Sequence, residues 1–253
     1  MRAGASSAQL TPAQAAAADS GAKGMMPFGS EQARPFLDYV LHSLADAGVH
    51  DVAVVVGADH EDTRAYYSDL RTNRISLSLI TQRRPLGTAD AVASAEAWAG
   101  GDPFLTLNGD NLYPADTLVR MTAGTTPAVA GFRRDSLGLP DDRIAAFALI
   151  GRAEDGRLAR IVEKPSEDAV AAAGPDALVS MNLWRFDARI FEACRQVPLS
   201  PRGELELPHA VAFAVAAGTR VDVIEAAGPV LDLSRRADVA EIARRLEGAR
   251  VDL

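Results

Sequence analysis

The sequence predicts an α/β layered sheet, and three features of its first half predict it. Phe36, Leu37, Val40, Leu41 and Leu44 recur at helical spacing in PFLDYVLHSLADAG, 35–48, and the pattern stops at Gly48, a residue suited to ending a helix. DVAVVVG, 51–57, is a continuous apolar run of the kind found in a strand covered on both faces. The pattern then repeats: a polar helix over about 60–71, the alternating strand RISLSLIT at 74–81, a helix over 87–99 and the strand PFLTL at 103–107. Strands and helices taking turns imply layers of helix on a sheet.

The second half is looser. PAVAGFRR, RIAAFALIG, RLARIVEK and ALVSMNLWRF are strand candidates separated by turn residues, with helices expected near 187–197, 205–217 and 235–247. No repeat and no linker rich in Pro, Gly or Ser divides the chain, so 1–253 reads as a single domain. Ahead of the alternating region, AGASSAQLTPAQAAAADS is low in complexity. Ala favours helix, yet few large apolar residues are present to dock one, so 1–20 reads as a mobile Ala-rich insert with one short helix from Pro12.

With 253 residues, 48% of them hydrophobic and 24% charged, the composition is that of a globular protein able to bury a sizeable core. The net charge of -8 is spread without a basic block, which argues against nucleic acid and leaves small phosphorylated ligands open. Cys194 is the single cysteine, so no intrachain disulfide is available. His42, His50, His60 and His209 lack metal-ligand spacing, and zinc is not expected. No apolar run reaches the roughly 20 residues of a membrane helix, and Arg2 is not followed by the apolar core of a signal peptide. A cytoplasmic protein without membrane or nucleic-acid partners is expected.

In open α/β sheets, ligands bind beyond the carboxyl ends of the strands. Asp110 stands there in LTLNGDNLYP, where a carboxylate can hold Mg²⁺, a hard cation needing only one or two protein carboxylates; Gly, Asp and Asn also make ordinary turns. Asp232 ends a short apolar run in GPVLDLSRRADV and precedes Ser234, a plausible cap for the last helix, and Asp232 can belong to that cap itself. In QRRPLGTADAVASA, Gly87 allows close backbone approach to a flat ligand, and Gln82 offers a donor and an acceptor for the edge of a base; a plain strand-to-helix loop also tolerates both. In RIVEKPS, Glu163 and Lys164 are adjacent on a strand and so point to opposite faces unless the chain bends, which Pro165 can supply; the alternative is an exposed strand end. Lys23, in SGAKGMMPFG, is Gly-flanked like many solvent lysines, but the following Met25-Met26-Pro27 suggests an anchored segment.

Taken in order along the chain, AKGMMPFG, QRRPLGTADAV, LNGDN, VEKP and VLDLS resemble the motifs of the sugar-1-phosphate nucleotidylyltransferases, the uridylyl- and thymidylyltransferases for glucose 1-phosphate. The resemblance covers nearly the whole chain. It implies a Rossmann-like three-layer α/β/α sandwich with a mixed, mostly parallel sheet, the nucleotide-diphospho-sugar transferase fold. It also implies nucleotidyl transfer from a nucleoside triphosphate, UTP or dTTP being favoured, to a sugar 1-phosphate with release of pyrophosphate. By the same resemblance the base lies near Gln82, Leu86, Gly87 and Thr88, with Asn108 and Gly109 beside the substrate and the triphosphate near Lys23. Asp110 and Asp232 hold Mg²⁺, Lys164 meets the sugar phosphate, and Glu163 and Asn182 face the sugar. Relatives of this kind often associate, which leaves a homo-oligomer open.

The sequence departs from the family pattern in several places. Ala22 replaces a Pro before the Lys, Asn182 stands where Gly is usual, and Leu233-Ser234 replaces a Gly-Thr pair. The family's opening strand and its Gly-rich G-x-G-T-R-M loop, whose N–H groups cradle phosphates, have no counterpart. The expectation is that Met1 is an internal Met of that loop, that the sheet has an open slot and that nucleotide binding is impaired. Two rival readings share the fold. A nucleotide-sugar-dependent glycosyltransferase commonly carries Asp-x-Asp, where this chain reads Asp110-Asn111-Leu112; a non-catalytic sensor of nucleotide or sugar phosphate is favoured by the missing loop.

Overall fold

A computed structural model describes residues 10–29, 33–174 and 176–253. In chain order the elements are α1 (Pro12–Asp19), β1 (Pro27–Phe28), β2 (Arg34–Pro35), α2 (Phe36–Asp46), β3 (Asp51–Gly57), α3 (Glu61–Asp69), β4 (Ser76–Gln82), α4 (Thr88–Ser94) and α5 (Glu96–Ala99). They continue with β5 (Phe104–Thr106), β6 (Asn111–Leu112), α6 (Ala115–Thr122), β7 (Ala128–Arg133), α7 (Asp141–Ile144), β8 (Ala148–Arg152), β9 (Leu158–Val162), α8 (Glu167–Ala173) and β10 (Leu178–Phe186). The chain closes with α9 (Arg189–Gln196), α10 (Leu207–Ala216), β11 (Asp222–Ala226), β12 (Leu231–Asp232) and α11 (Asp238–Arg245).

Side-chain alternation builds the three layers. Along β7 and β10, Ala128, Ala130, Phe132, Val179, Met181 and Leu183 pack into a core with Leu41 of α2 and with Leu118 and Met121 of α6. Val129, Leu178, Trp184 and Phe186 point the other way, into a second core with α4, α9 and α10. Successive strand residues face opposite sides, so a sheet apolar on both faces requires helices on both. A third cluster joins α1, α2 and α11 around Met26 and Phe28. The α/β class and mixed sheet are as expected.

The larger sheet runs β11-β7-β10-β8-β9, with β5 also paired to β10. In it β7–β11 is parallel and the other pairs are antiparallel, so this sheet is mixed as expected but not mostly parallel, because β5, β7 and β8 all run against β10. The parallel pair β3–β4, in register from Asp51↔Ser76 to Gly57↔Gln82, stands apart from it. Among the described residues, β3 and β5 each have one edge without a strand. DVAVVVG is accordingly less enclosed than its composition suggests: Val52 and Val56 are buried and the stretch between them is half-buried.

Several elements differ from the expectation. RIAAFALIG is not one strand, because Pro140-Asp141-Asp142 start the helical turn α7, which takes Arg143 and Ile144 before β8 begins at Ala148. Pro at the cap and acids in the first turn favour a helix start over strand pairing. The helix expected over 87–99 is two, broken at Ala95. Helices α6 and α8 and strand β11 were not anticipated. Residues 1–9 of the Ala-rich segment lie outside the described residues; beyond them α1 forms from Pro12, capped by Thr11 in a capping box with Gln14, and buries Ala18.

Candidate functional site

Lys23 and Asp110 meet although 87 positions separate them: Lys23 Nζ lies 3.1 Å from Asp110 Oδ2. Met26 and Phe28, both buried, hold the lysine's segment down, and Phe36 N–H donates to the Met26 carbonyl at 2.9 Å. Lys23–Met25 forms a single 3₁₀ turn whose Gly24 lies against the Asn108-Gly109-Asp110 turn; a Cβ on Gly24 would sit 3.3 Å from Gly109 O. The Lys segment and the Asp turn therefore touch through two glycines. Burial pushes the Asp110 carboxyl above its ordinary value, Lys23 opposes the rise, and the charge of Asp232 adds to it.

Asp232 reaches Asp110 through a two-residue ladder. In β6 and β12, Asn111 pairs with Asp232, and Leu233 N–H donates to Asp110 O at 2.9 Å. Asp232 is not a helix cap, because α11 starts only at Asp238, with Ala237 preceding it and no side-chain cap. Nor does Ser234 cap that helix: its hydroxyl donates to Asp232 Oδ1, while Asp238 Oδ2 accepts from the backbone N–H groups of Ser234 (3.1 Å) and Arg235 (2.6 Å). The other Asp232 oxygen, Oδ2, is 2.5 Å from Arg143 Nη2, and Arg143 Nη1 pairs with Asp238 Oδ1.

Gln82 ends β4 and turns its amide nitrogen to two acceptors, Gly87 O at 3.0 Å and Asp90 Oδ2 at 2.8 Å. Two acceptors fix which end of the amide faces them. The donor expected for a ligand is thus used internally, and no donor among the described residues reaches Oε1. Gly87 has φ 119°, and a Cβ there would fall 2.5 Å from Leu205 O. The segment 205–207 is laced to this loop: Leu205 N–H donates to Leu86 O (2.6 Å), Ala89 N–H to Leu205 O (2.8 Å) and Leu207 N–H to Thr88 Oγ1 (2.9 Å). Leu86 and Thr88 spend these groups shaping the loop.

The bend needed between Glu163 and Lys164 is present, in Lys164 itself: β9 ends at Val162, and Lys164 has φ 46°, a left-handed conformation uncommon outside Gly. Lys164 is exposed, with no carboxylate among the described residues at ion-pair distance. Glu163 is half-buried without a hydrogen-bond partner among them. Burial and the nearby Glu206 raise its pKa above 4.5, opposed by Lys164, His209 and Arg202. Asn182 has φ 58°, which Asn tolerates better than most side chains. It sits in an irregularity of β10, where that strand leaves β8, its partner at 178–180, for β5, its partner at 184–186. Tyr113, three residues past Asp110, donates to the Met181 carbonyl at 2.6 Å and so ties this irregularity to the Asp110 turn.

Two groups of residues result. Lys23, Asn108, Gly109, Asp110 and Asp232 form one, with Asn182 tied to it; Gln82, Leu86, Gly87, Thr88 and the segment leading to Glu206 and Glu163 form the other. Among the described residues no hydrogen bond or ion pair runs from Lys23 or Asp110 to Gln82, Glu163 or Lys164. The first group offers a carboxylate and a cation at a strand end, the second a base-sized loop with an unused acceptor.

Residues 17–228 match the family profile described as nucleotidyl transferase. The chain belongs to the nucleotidyl transferase family. It is 31% identical over 214 residues, 83% of its length, to a glucose-1-phosphate thymidylyltransferase from Streptomyces antibioticus, of which it spans 57%. It is 28% identical over 217 residues to a UTP–glucose-1-phosphate uridylyltransferase from Haloferax volcanii, covering 85% of this chain and 84% of that one. A crystal structure of UDP-glucose pyrophosphorylase complexed with UDP-glucose shares the fold at a TM-score of 0.72 and 19% identity, covering 88% of this chain and 89% of the other. The chain thus spans a little over half the length of the first of these relatives.

Lys23 and Lys164, both singled out by their motifs, carry a further signal: of 26 basic residues they alone are lysines, and the remaining positions are arginines. A chain that otherwise uses Arg and keeps Lys at two positions marks both for a compact, movable ammonium. Arg143 is not marked in this way, because it lies inside an apparent strand.

Glu163, without a partner among the described residues, should carry a pH-dependent cost. Its folded-state pKa lies above the ordinary 4.5, so the folded protein binds more protons than the unfolded one between those values, and stability falls as pH rises through that window. Glu163→Gln removes the penalty. Its melting temperature should exceed that of the parent by a few degrees, on the order of 2 °C, at pH 8, and the gain should vanish near pH 4. Equal melting temperatures at both pH values would contradict the assignment.

Proposed function

We propose that the chain moves a nucleoside monophosphate from a nucleoside triphosphate to a sugar 1-phosphate. A phosphate oxygen of the sugar 1-phosphate attacks the α-phosphorus, the α–β P–O bond breaks, pyrophosphate leaves, and a nucleotide-diphospho-sugar forms. The observation that carries this reading is the Lys23–Asp110 pair, packed glycine to glycine at the end of a strand. It is supported by the family assignment and by relatives named as thymidylyl- and uridylyltransferases. Positioning and charge neutralisation suffice for such a transfer, and no covalent protein intermediate is needed.

Lys23 leaves Asp110 for the triphosphate, and Lys164, with no counter-ion among the described residues, takes the sugar phosphate. Glu163 accepts from sugar hydroxyls, and Asn182 borders the same pocket. Gln82 Oε1, with its amide nitrogen committed to Gly87 and Asp90, accepts the N3–H of uracil or thymine. Cytosine has a lone pair at that position and would leave both acceptors unsatisfied.

Mg²⁺ is the expected cofactor, and Asp110 fits it: a hard oxygen donor, partly accessible, whose protein counter-ion is one movable ammonium. Bound there, it would neutralise charge on the phosphate oxygens. Asp232, the second expected ligand, fits less well, because both its oxygens are engaged. No described helix is long and apolar enough to cross a membrane; a cytoplasmic location and a homo-oligomeric state remain part of the proposal.

Pyrophosphate release from UTP, dTTP, CTP and ATP, each with and without a panel of sugar 1-phosphates, tests the reading. Release should require the sugar 1-phosphate and should favour UTP or dTTP over CTP by about 10²-fold or more, since unpaired buried polar groups discriminate strongly. No release with any pair would favour a binding protein, and sugar transfer from a nucleotide sugar would favour a glycosyltransferase.

A further inference from the structure

We propose that Arg143 is the resident cation of Asp232, so that the metal is held by Asp110 and not by Asp232. The Arg143 and Asp232 side chains are 6% and 5% exposed, against 28% and 24% for Lys23 and Asp110. Asp232 lies in the β6–β12 ladder and Asp110 immediately precedes β6, yet their counter-ions differ in kind. Lys23 carries its charge on a flexible stem at the surface of the site and can be exchanged. Arg143 is fixed at three points, with Nη2 on Asp232 Oδ2 (2.5 Å) and on the Asp232 carbonyl (3.4 Å), and Nη1 on Asp238. Asp238 is itself anchored by the N–H groups of Ser234 and Arg235.

The guanidinium carries a fixed positive charge, and Arg143 holds it against Asp232. The Ser234 hydroxyl occupies the second oxygen. A small dication joining this carboxylate would lie against a guanidinium at contact distance, inside a site that buries both. Mg²⁺ also demands near-octahedral geometry and keeps several waters, which a carboxylate filled on both oxygens cannot easily accommodate. Of the two neighbouring carboxylates, only Asp110 has a counter-ion that can be exchanged for a metal. Arg143 is a positioning residue in this arrangement: through α7 it pins the segment between β7 and β8 to the Asp232 loop, and it touches no reacting atom.

The inference rests on reading Asp110 as the cation's ligand. Mn²⁺ titrated alone into the whole chain, with free Mn²⁺ followed by its paramagnetic resonance signal, tests it without reference to turnover. Asp110→Asn should weaken binding by about tenfold or more, the loss expected of a direct ligand, whereas Asp232→Asn should change it by less than about threefold. The amide oxygen of Asn can still accept from Arg143, and thermal melting checks that this variant is folded. Arg143→Met should tighten Mn²⁺ binding severalfold by exposing a carboxylate; the Arg143→Met/Asp232→Asn pair, which removes both charges, should return it to the parental value. Equal losses in the two Asp variants, or weaker binding in folded Arg143→Met, would overturn the proposal and make Arg143 a prop for a metal-ligating Asp232. Unchanged binding in all variants would overturn it as well, and with it the reading of Asp110, while leaving sugar-1-phosphate-dependent pyrophosphate release to be judged separately.

Discussion

Asp110→Asn should lower the rate of sugar-1-phosphate-dependent pyrophosphate release by about 10²- to 10³-fold, the cost typical of removing one preorganised group that meets developing charge. The substitution keeps the shape of the side chain and leaves the Leu233 N–H bond to the backbone oxygen of Asp110 in place. The loss should therefore be chemical and not structural. Burial and the charge of Asp232 raise the Asp110 carboxyl while Lys23 lowers it, so neutralising the group removes an attraction and two penalties together. The melting temperature should stay within a few degrees of the parent. Activity within about tenfold of the parent would remove Asp110 from the mechanism; a large fall in melting temperature would make it a structural residue.

Gly87→Ala should be the most damaging substitution of the loop over 82–89 for stability. The residue has φ 119° and ψ -176°, a region that side chains rarely enter, and its new Cβ would meet Leu205 O at 2.5 Å and Leu205 N at 2.9 Å. These are backbone atoms held by bonds to Leu86 and Ala89, and they cannot swing aside as a side-chain tip could. Backbone strain and overpacking each cost about 1–3 kcal/mol, so a loss of about 3 kcal/mol or more is expected. In a domain of this size that corresponds to a fall of roughly 6–12 °C in melting temperature. Because the same displacement moves Gly87 O away from Gln82, the KM for the nucleotide should rise. Thermal denaturation of the purified variant checks the first effect, and a melting temperature equal to the parent's would show that the 205–207 segment is not clamped to the loop.

How far the sequence discloses this molecule differs from element to element for physical reasons. Helix α2 and strands β3 and β4 are legible because their apolar residues follow a helical period, a continuous run and an alternating run over seven or more positions. Lys23, Gln82, Gly87, Asp110, Glu163, Lys164 and Asp232 are singled out by residue type beside strand ends or glycines, and the resemblance orders them. What a linear reading does not reveal is which partners they find. The apposition of Asp110 and Asp232 rests on a two-residue ladder between segments more than a hundred positions apart, too short to leave a periodic trace. Arg143 looked like the first residue of a strand because an apolar run follows it; Pro140 and two acids turn it into a helix residue aimed at Asp232. The left-handed conformations of Lys164 and Asn182 are equally silent in a strand-like pattern. The departure of Asn182 from a usual Gly was their one visible mark, and a positive φ is the geometry that explains it.

A site that joins a nucleotide to a sugar phosphate carries the α-phosphorus into its product, so the fate of that atom is the decisive measurement. UTP or dTTP labelled at the α-phosphate is incubated with the chain, Mg²⁺ and glucose 1-phosphate, and the labelled products are separated. Label should appear in a nucleotide-diphospho-sugar, formed in step with pyrophosphate and lost in Asp110→Asn. Label remaining in the triphosphate, or appearing in the free nucleoside monophosphate, would contradict it.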